Sequence, residues 1–208
     1  MWEELRATPD YFTLYGGTAL ALRLGHRQSV DFDFFGDRPI DPQSLLAEIP
    51  YLANASILDM RSNSLHVSVD RGGPVKLSFF GVPNLARIAP PDMAEGTTMK
   101  VAALIDIAGT KAAVIQQRAE AKDYLDLDGL MTRGGISLPM ALSAGLAIYK
   151  NQFNPQITLK ALSYFGEAEL AALPDDLKQR LRMAVKAVDL DRLPSLDRFR
   201  DPGKGAGQ

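Results

Sequence analysis

GGTALALRLGHRQSVDFDFF, residues 16–35, puts two acids inside a run that otherwise reads as a buried strand. The segment VDFDFF, residues 30–35, alternates with period two, which predicts a β-strand. On a strand, residues i and i+2 share a face, so Asp31 and Asp33 point one way while Val30, Phe32 and Phe34 fill the other. At ~3.3 Å rise per residue, their Cα atoms lie about 6.6 Å apart. Two carboxylates at that spacing repel by about 2.5 kcal/mol at an effective dielectric of ~20. A divalent cation removes this cost, and phosphoryl chemistry uses such a cation to clamp triphosphate oxygens. The plain alternative is a solvated strand face with both acids turned to water.

The residues just upstream favour the cation. Gly16-Gly17-Thr18 joins a strand (YFTLYG, residues 11–16) to a short Ala/Leu-rich helix (18–24) closed by Gly25. A helix start offers free backbone N–H groups and the positive end of the helix dipole, both suited to phosphate. Glycines let a triphosphate approach the backbone, and the Thr18 hydroxyl is placed either to cap the helix or to donate to phosphate. A phosphate cradle and a metal-binding acid pair on consecutive elements are more specific than either part alone.

Further along, Asp41-Pro42 starts a helix, with Asp as N-cap and Pro at the first helical position. LHVSVD (65–70) and VKLSFF (75–80) flank Gly72-Gly73 and read as a β-hairpin. After a Pro/Gly-bearing loop (81–96) only helices are expected, over roughly 101–118, 121–132, 137–150, 156–165 and 175–188. The tail DPGKGAGQ lacks apolar anchors, and its Gly-Lys-Gly is not a P-loop, because no strand precedes it and no helix follows.

The composition narrows the chemistry. With no cysteine and only His26 and His66, thiolate and His-rich zinc sites are excluded, so a metal must sit on oxygen ligands, which means Mg²⁺ or Mn²⁺. The absence of cysteine fits a reducing cytosol, and no apolar run approaches the ~20 residues of a membrane span. The net charge is −2, but residues 177–208 carry 8 Lys/Arg against 4 Asp/Glu. That basic segment is either a solvated helix and tail or a contact for a phosphate backbone.

Lys111 lies within the apolar stripe made by Leu104, Ile107, Ala108, Val114 and Ile115. It either snorkels past the core edge or reaches an anion such as a nucleotide phosphate. In RAEAKDYLDLDGL, Asp123 borders the inward stripe and is a candidate base for an acceptor hydroxyl, or a member of a surface ion pair. Asp126 reads as an i,i+4 partner of Lys122. His26 reads as a loop hydrogen-bonding residue; Arg27 either reaches a triphosphate or, the favoured reading, pairs with Asp31 or Asp37 and holds the loop.

Taken together, residues 16–35, VKLSFF, Lys111 in AGTKAAVIQQR and KDYLDL at 122–127 resemble the DNA polymerase beta-like nucleotidyltransferase superfamily. More narrowly, they resemble the AbiEii/AbiGii abortive-infection toxin family. The resemblance implies an α/β (α+β) nucleotidyltransferase core with a small mixed sheet, followed by an all-α C-terminal helical region. On this view residues 1–97 are the core, 98–190 are a helical domain completing the active-site cleft, and 191–208 are a flexible tail. Gly16, Gly17 and Thr18 would bind nucleotide, Asp31 and Asp33 the metal, Lys111 the triphosphate, and Asp123 would activate the acceptor. Family members transfer a nucleotide from an NTP, with tRNA 3′ ends as acceptors for some, and are paired with a cognate antitoxin in the cytoplasm.

One position departs from the pattern: the superfamily's third carboxylate falls on the VKLSFF strand, where this chain has Ser78. That leaves two rivals, a catalytically degenerate nucleotide-binding protein and an enzyme that modifies small molecules such as antibiotics.

Overall fold

The computed structural model describes residues 1–94 and 98–199. The chain forms two units. The first comprises residues 1–23, 28–85 and 91–102, and the second 24–27, 86–90 and 103–208.

The first unit is built on one mixed sheet. Its strands are β1 (Phe12–Tyr15), β2 (Phe32–Gly36), β3 (Ser56–Arg61), β4 (Ser64–Asp70), β5 (Pro74–Gly81), β6 (Asp92–Met93) and β7 (Lys100–Val101). They lie in the order β3-β4-β5-β2-β1-β7-β6, so the acid-bearing β2 is central. It runs antiparallel to β1 and parallel to β5. Alternation places Phe34, Leu65, Val67, Leu77 and Phe79 on a fully buried face. There Phe34 stacks on Phe79 at 5.1 Å between ring centroids, and the Phe12 ring meets Phe79 edge-on at 5.3 Å.

Helix α1 (Gly16–Leu24) follows β1 directly, and α2 (Pro42–Glu48) starts as expected, with the Asp41 carboxylate accepting the Ser44 N–H. The hairpin closes at Asp70 and Pro74, with the Asp70 carboxylate accepting the Gly72 and Gly73 N–H groups.

The sequence reading missed the edge strand β3 and the short strands β6 and β7. Ile57, Leu58 and Met60 of β3 are exposed, so the segment carries no in/out alternation to detect. β7 falls where only helix was expected: Thr13 and Leu14 of β1 pair with Lys100 and Val101, which ties residues 98–102 to the sheet unit rather than to the helices. Val30 also departs from its expected place, being 60 % exposed, because the strand begins only at Phe32.

The second unit contains α3 (Leu104–Val114), α4 (Ala121–Thr132), α5 (Leu138–Tyr149), α6 (Pro155–Ser163), α7 (Ala168–Ala171) and α8 (Asp175–Lys186). Helices α3 and α5 pack at a glycine: a Cβ on Gly109 would stand 2.9 Å from the backbone and Cβ of Ala144. The buried Thr158 hydroxyl of α6 donates to the Ala112 carbonyl at 2.9 Å, and the Tyr124 hydroxyl of α4 donates to Ala161. Ser137 and Asn154 cap α5 and α6.

Within the segment expected to be a flexible tail, Arg198 donates to the Ile148 carbonyl at 3.0 Å and the Phe199 N–H to Arg87 O at 2.6 Å. The DPGKGAGQ tail itself lies outside the described residues.

Candidate active site

In the sheet unit, Gly16 carries a φ of +73°, a left-handed conformation that L side chains rarely adopt. Its missing side chain has a second consequence. A Cβ built there would collide with the Asp33 carboxylate, whose Cγ would be 3.2 Å away. The Asp33 carboxylate is therefore seated against the first residue of α1. Beside it are the first-turn N–H groups of Gly16, Gly17 and Thr18, which an α-helix leaves without intrahelical partners.

Thr18 is buried, and its hydroxyl is occupied. It lies 3.0 Å from the Ser29 hydroxyl and donates to the Asp31 carbonyl. This bond clamps the chain at Asp31, just before β2 joins the sheet, and so fixes where the Asp31 side chain starts. What the segment can offer a phosphate is thus its backbone, while the Thr18 side chain positions an acid.

Asp31 and Asp33 are both half-buried at the end of the sheet where α1 begins. Two carboxylates beside the positive end of a helix accept a phosphate only together with a cation that neutralises them. Among the described residues, no group of three or more His, Cys, Asp or Glu side chains could hold a metal ion. The donor set still fits Mg²⁺ or Mn²⁺, which is commonly held by one or two carboxylates while substrate phosphates and water complete the shell.

Ser78 is the direct neighbour of Asp33 on the parallel strand β5. Residues side by side in register share a face, so Ser78 stands beside the acid pair where the resemblance expects a third carboxylate. The next strand brings His66 opposite Ser78. Its Nδ1 lies 3.1 Å from the Ser78 hydroxyl and its Nε2 lies 3.0 Å from the Ser64 hydroxyl.

The second unit holds a separate cluster of charges. Lys111 Nζ sits 2.7 Å from Asp123 and 2.6 Å from Asp126, with its side chain 8 % exposed. Its anion is thus a pair of carboxylates on α4. Both acids are fully buried. Asp123 also accepts from Arg118 Nε at 2.8 Å. Asp126 accepts from Arg27 Nε at 2.6 Å and Nη2 at 2.9 Å, and lies 2.7 Å from His26 Nε2.

Burial pushes the Asp123 carboxyl up, but the Lys111 charge and the Arg118 hydrogen bond outweigh it and hold it below the usual carboxylate range. Burial acts likewise on Asp126, and the hydrogen bonds from His26 and Arg27 with the Lys111 charge hold it well below that range. A carboxylate so stabilised is a weak base.

Asp126 does not pair with Lys122, which instead reaches Glu120 at 3.0 Å; burial of Asp126 selects the inward Lys111 and Arg27 over an exposed neighbour. Arg27 anchors to Asp126, a partner the sequence did not suggest, and His26 bonds from its loop as expected.

The basic C-terminal segment is partly consumed by its own unit. Arg180 grips Asp128 at 2.8 and 2.7 Å and Asp176 at 2.6 Å, and the Arg182 guanidinium lies 4.9 Å from the centre of the Phe165 ring. Part of the local charge excess is therefore a packing device.

The sheet unit thus brings together Gly16, Gly17, Thr18, Asp31 and Asp33, and the helical unit brings together Lys111 and Asp123. The sequence model described as nucleotidyl transferase AbiEii toxin, type IV toxin–antitoxin system, matches residues 3–201. The chain belongs to the AbiEii nucleotidyltransferase toxin family.

An uncharacterised protein of Aquifex aeolicus (strain VF5) is 35% identical over 159 residues, which covers 76% of this chain and 75% of that protein. Among solved structures, MenT4, a nucleotidyltransferase toxin of Mycobacterium tuberculosis H37Rv, is similar with a TM-score of 0.58 at 18% identity, covering 90% of this chain and 80% of that one. A nucleotidyltransferase candidate from H. pylori is similar with a TM-score of 0.53 at 21% identity, covering 88% of both chains. At such identities the two structures show the shared fold. With the family, they make this chain a toxin-type nucleotidyltransferase with a mixed-sheet core and a helical C-terminal region. Among the described residues, no helix is long and apolar enough to cross a membrane.

The sequence reading gave no role to His66, Arg118 or the inward face of Asp126. His66 was within reach: a register closed at Asp70 and Pro74 carries it opposite Ser78. The Arg27–Asp126 pair had no local signal, since 99 residues separate the partners.

Proposed function

We propose that the sheet unit binds an NTP together with Mg²⁺ or Mn²⁺ in the cytoplasm and transfers its nucleotidyl group to an acceptor hydroxyl, releasing pyrophosphate. The observation that carries this reading is the Asp33 carboxylate seated against Gly16 at the start of α1. Backbone N–H groups of Gly16, Gly17 and Thr18 bind phosphate oxygens, and Asp31 and Asp33 hold the cation. When bound, the cation supplies charge neutralisation at the phosphates. The Thr18 hydroxyl fixes the Asp31 backbone, so the acid pair is set before substrate arrives.

In this reading Lys111 is a cation held ready by two carboxylates, and Asp123 orients it and Arg118 rather than removing a proton.

The resemblance makes tRNA 3′ ends the first acceptor to test, and the family brings with it the expectation of a cognate antitoxin. Because Arg180 is tied to Asp128, charge in the C-terminal segment argues for RNA less than its count suggests. A second reading rests on Ser78: lacking a carboxylate beside Asp33, the chain would bind nucleotide without turning it over.

The test is pyrophosphate release from each of the four NTPs, with Mg²⁺ or Mn²⁺, with and without total tRNA, against Asp33→Asn as blank. Release above the blank supports transfer. Nucleotide binding without release, together with turnover gained in Ser78→Asp, supports the second reading. Equal release by parent and Asp33→Asn would overturn the site assignment.

A further inference from the structure

The Ser64–His66–Ser78 chain is unused by the transfer to an external acceptor, yet it has the parts of an activated nucleophile. Its hydroxyl (Ser78) lies within hydrogen-bond reach of a base (His66), whose other nitrogen is held by a third group (Ser64), at 3.1 and 3.0 Å. The imidazole is half-buried and packs edge-on against Phe80 at 5.1 Å between ring centroids, which fixes its plane. A neutral imidazole has one donor and one acceptor nitrogen. In the tautomer that donates from Nε2 to Ser64, Nδ1 accepts the Ser78 hydroxyl proton and turns an oxygen lone pair away from the ring. Ser78 is also the in-register neighbour of Asp33, one strand spacing of ~4.8 Å away on the same face. Charged residues on the flanking strand positions include Asp59, opposite His66 on β3 and paired with Arg61 at 3.0 Å, and Lys76, two residues before Ser78 on its own strand.

We propose that Ser78 is itself a nucleotidyl acceptor: given an NTP, the chain modifies its own Ser78. This inference rests on the transferase reading above. The Ser78 Oγ attacks the α-phosphorus, forming an Oγ–P bond. The bond from that phosphorus to the bridging oxygen breaks, and pyrophosphate leaves with the electron pair. The Ser78 proton passes to His66 Nδ1. The product is a serine nucleoside-monophosphate ester beside Asp33, which fills the position that an external acceptor would use and so limits further transfer.

The experiment incubates the full chain with each NTP and Mg²⁺ or Mn²⁺, then measures intact mass and maps any adduct by peptide fragmentation. A parallel arm adds total tRNA and reads pyrophosphate. The proposal expects a gain of one nucleoside-monophosphate residue on Ser78. The gain is absent in Ser78→Ala and at least about 100-fold slower in His66→Gln, the scale of a lost general base. Melting curves of both variants, and their NTP binding, separate loss of chemistry from loss of fold. Because the adduct is mapped on the parent chain, the result does not depend on either variant folding. Pyrophosphate release into tRNA with an unmodified chain, or an adduct on another residue, overturns this inference and leaves the transferase reading standing. Neither pyrophosphate nor adduct under any condition overturns both.

Discussion

Replacing Gly16 with alanine separates the two demands made on that residue. The first is conformational: at φ +73° an L side chain costs about 1–2 kcal/mol. The second is spatial, because the new Cβ would overlap the Asp33 carboxylate. Gly25→Ala is the internal control, since its φ is +56° but nothing lies within 4 Å of a Cβ there. The control should lose only the conformational share of stability, with pyrophosphate release within about twofold of parent. Gly16→Ala should lose that share plus about 1–3 kcal/mol of overpacking. If the strain is relieved by moving Asp33 by about 1 Å, turnover falls about 100-fold, the usual penalty for misplacing a reacting group. Urea unfolding of both variants beside pyrophosphate release reads both shares. Parental turnover in Gly16→Ala, or equal loss in the two variants, would refute the argument that Gly16 exists to seat Asp33.

Three further outcomes follow from the same geometry. Asp126→Asn leaves Lys111, Arg27 and His26 facing an uncharged amide; breaking a buried ion pair costs about 3–5 kcal/mol, which for a chain of this length is a Tm drop of about 6–20 °C. An unchanged Tm would show that the network is not structural. Thr18→Val keeps the shape but removes the bonds to Ser29 and Asp31, and should cost about 1–2 kcal/mol and lower turnover by loosening Asp31; a full-rate variant would contradict the clamp. Acid should weaken the helical unit: Asp123 and Asp126 are held below their unfolded values, so their contribution is complete above about pH 4 and is lost as pH falls through the lower folded values. Urea midpoints at neutral and acid pH measure this, and Asp126→Asn should show a shallower acid loss than parent; identical slopes would contradict it.

The features legible in the sequence were those whose cause is local. Asp41-Pro42 announced α2, Gly72-Gly73 announced the hairpin, and Gly16-Gly17-Thr18 beside Asp31 and Asp33 announced the family. Each is a short-range pattern of capping, turn chemistry or alternation. What escaped was long-range or edge-located. The exposed β3 lacks a buried face, and the two-residue β7 exists because β1 and β6 offer it partners on either side. Lys111 was visible as an anomaly in an apolar stripe, but its two anions were not, since Asp126 looked satisfied by Lys122 nearby. Thr18 was read as a cap or phosphate donor, and only the fold shows its hydroxyl turned inward to Asp31.

The most direct test of the central claim, that Asp31 and Asp33 beside the Gly16–Thr18 turn hold a cation and triphosphate together, is a Mn²⁺ titration followed by electron paramagnetic resonance. It compares the parent with Asp33→Asn, each with and without an NTP analogue that cannot release pyrophosphate. The account predicts Mn²⁺ binding that tightens when the analogue is present and weakens at least tenfold in Asp33→Asn, a loss of about 1.4 kcal/mol or more. Equal Mn²⁺ affinity in parent and variant, with the analogue bound to both, would contradict it.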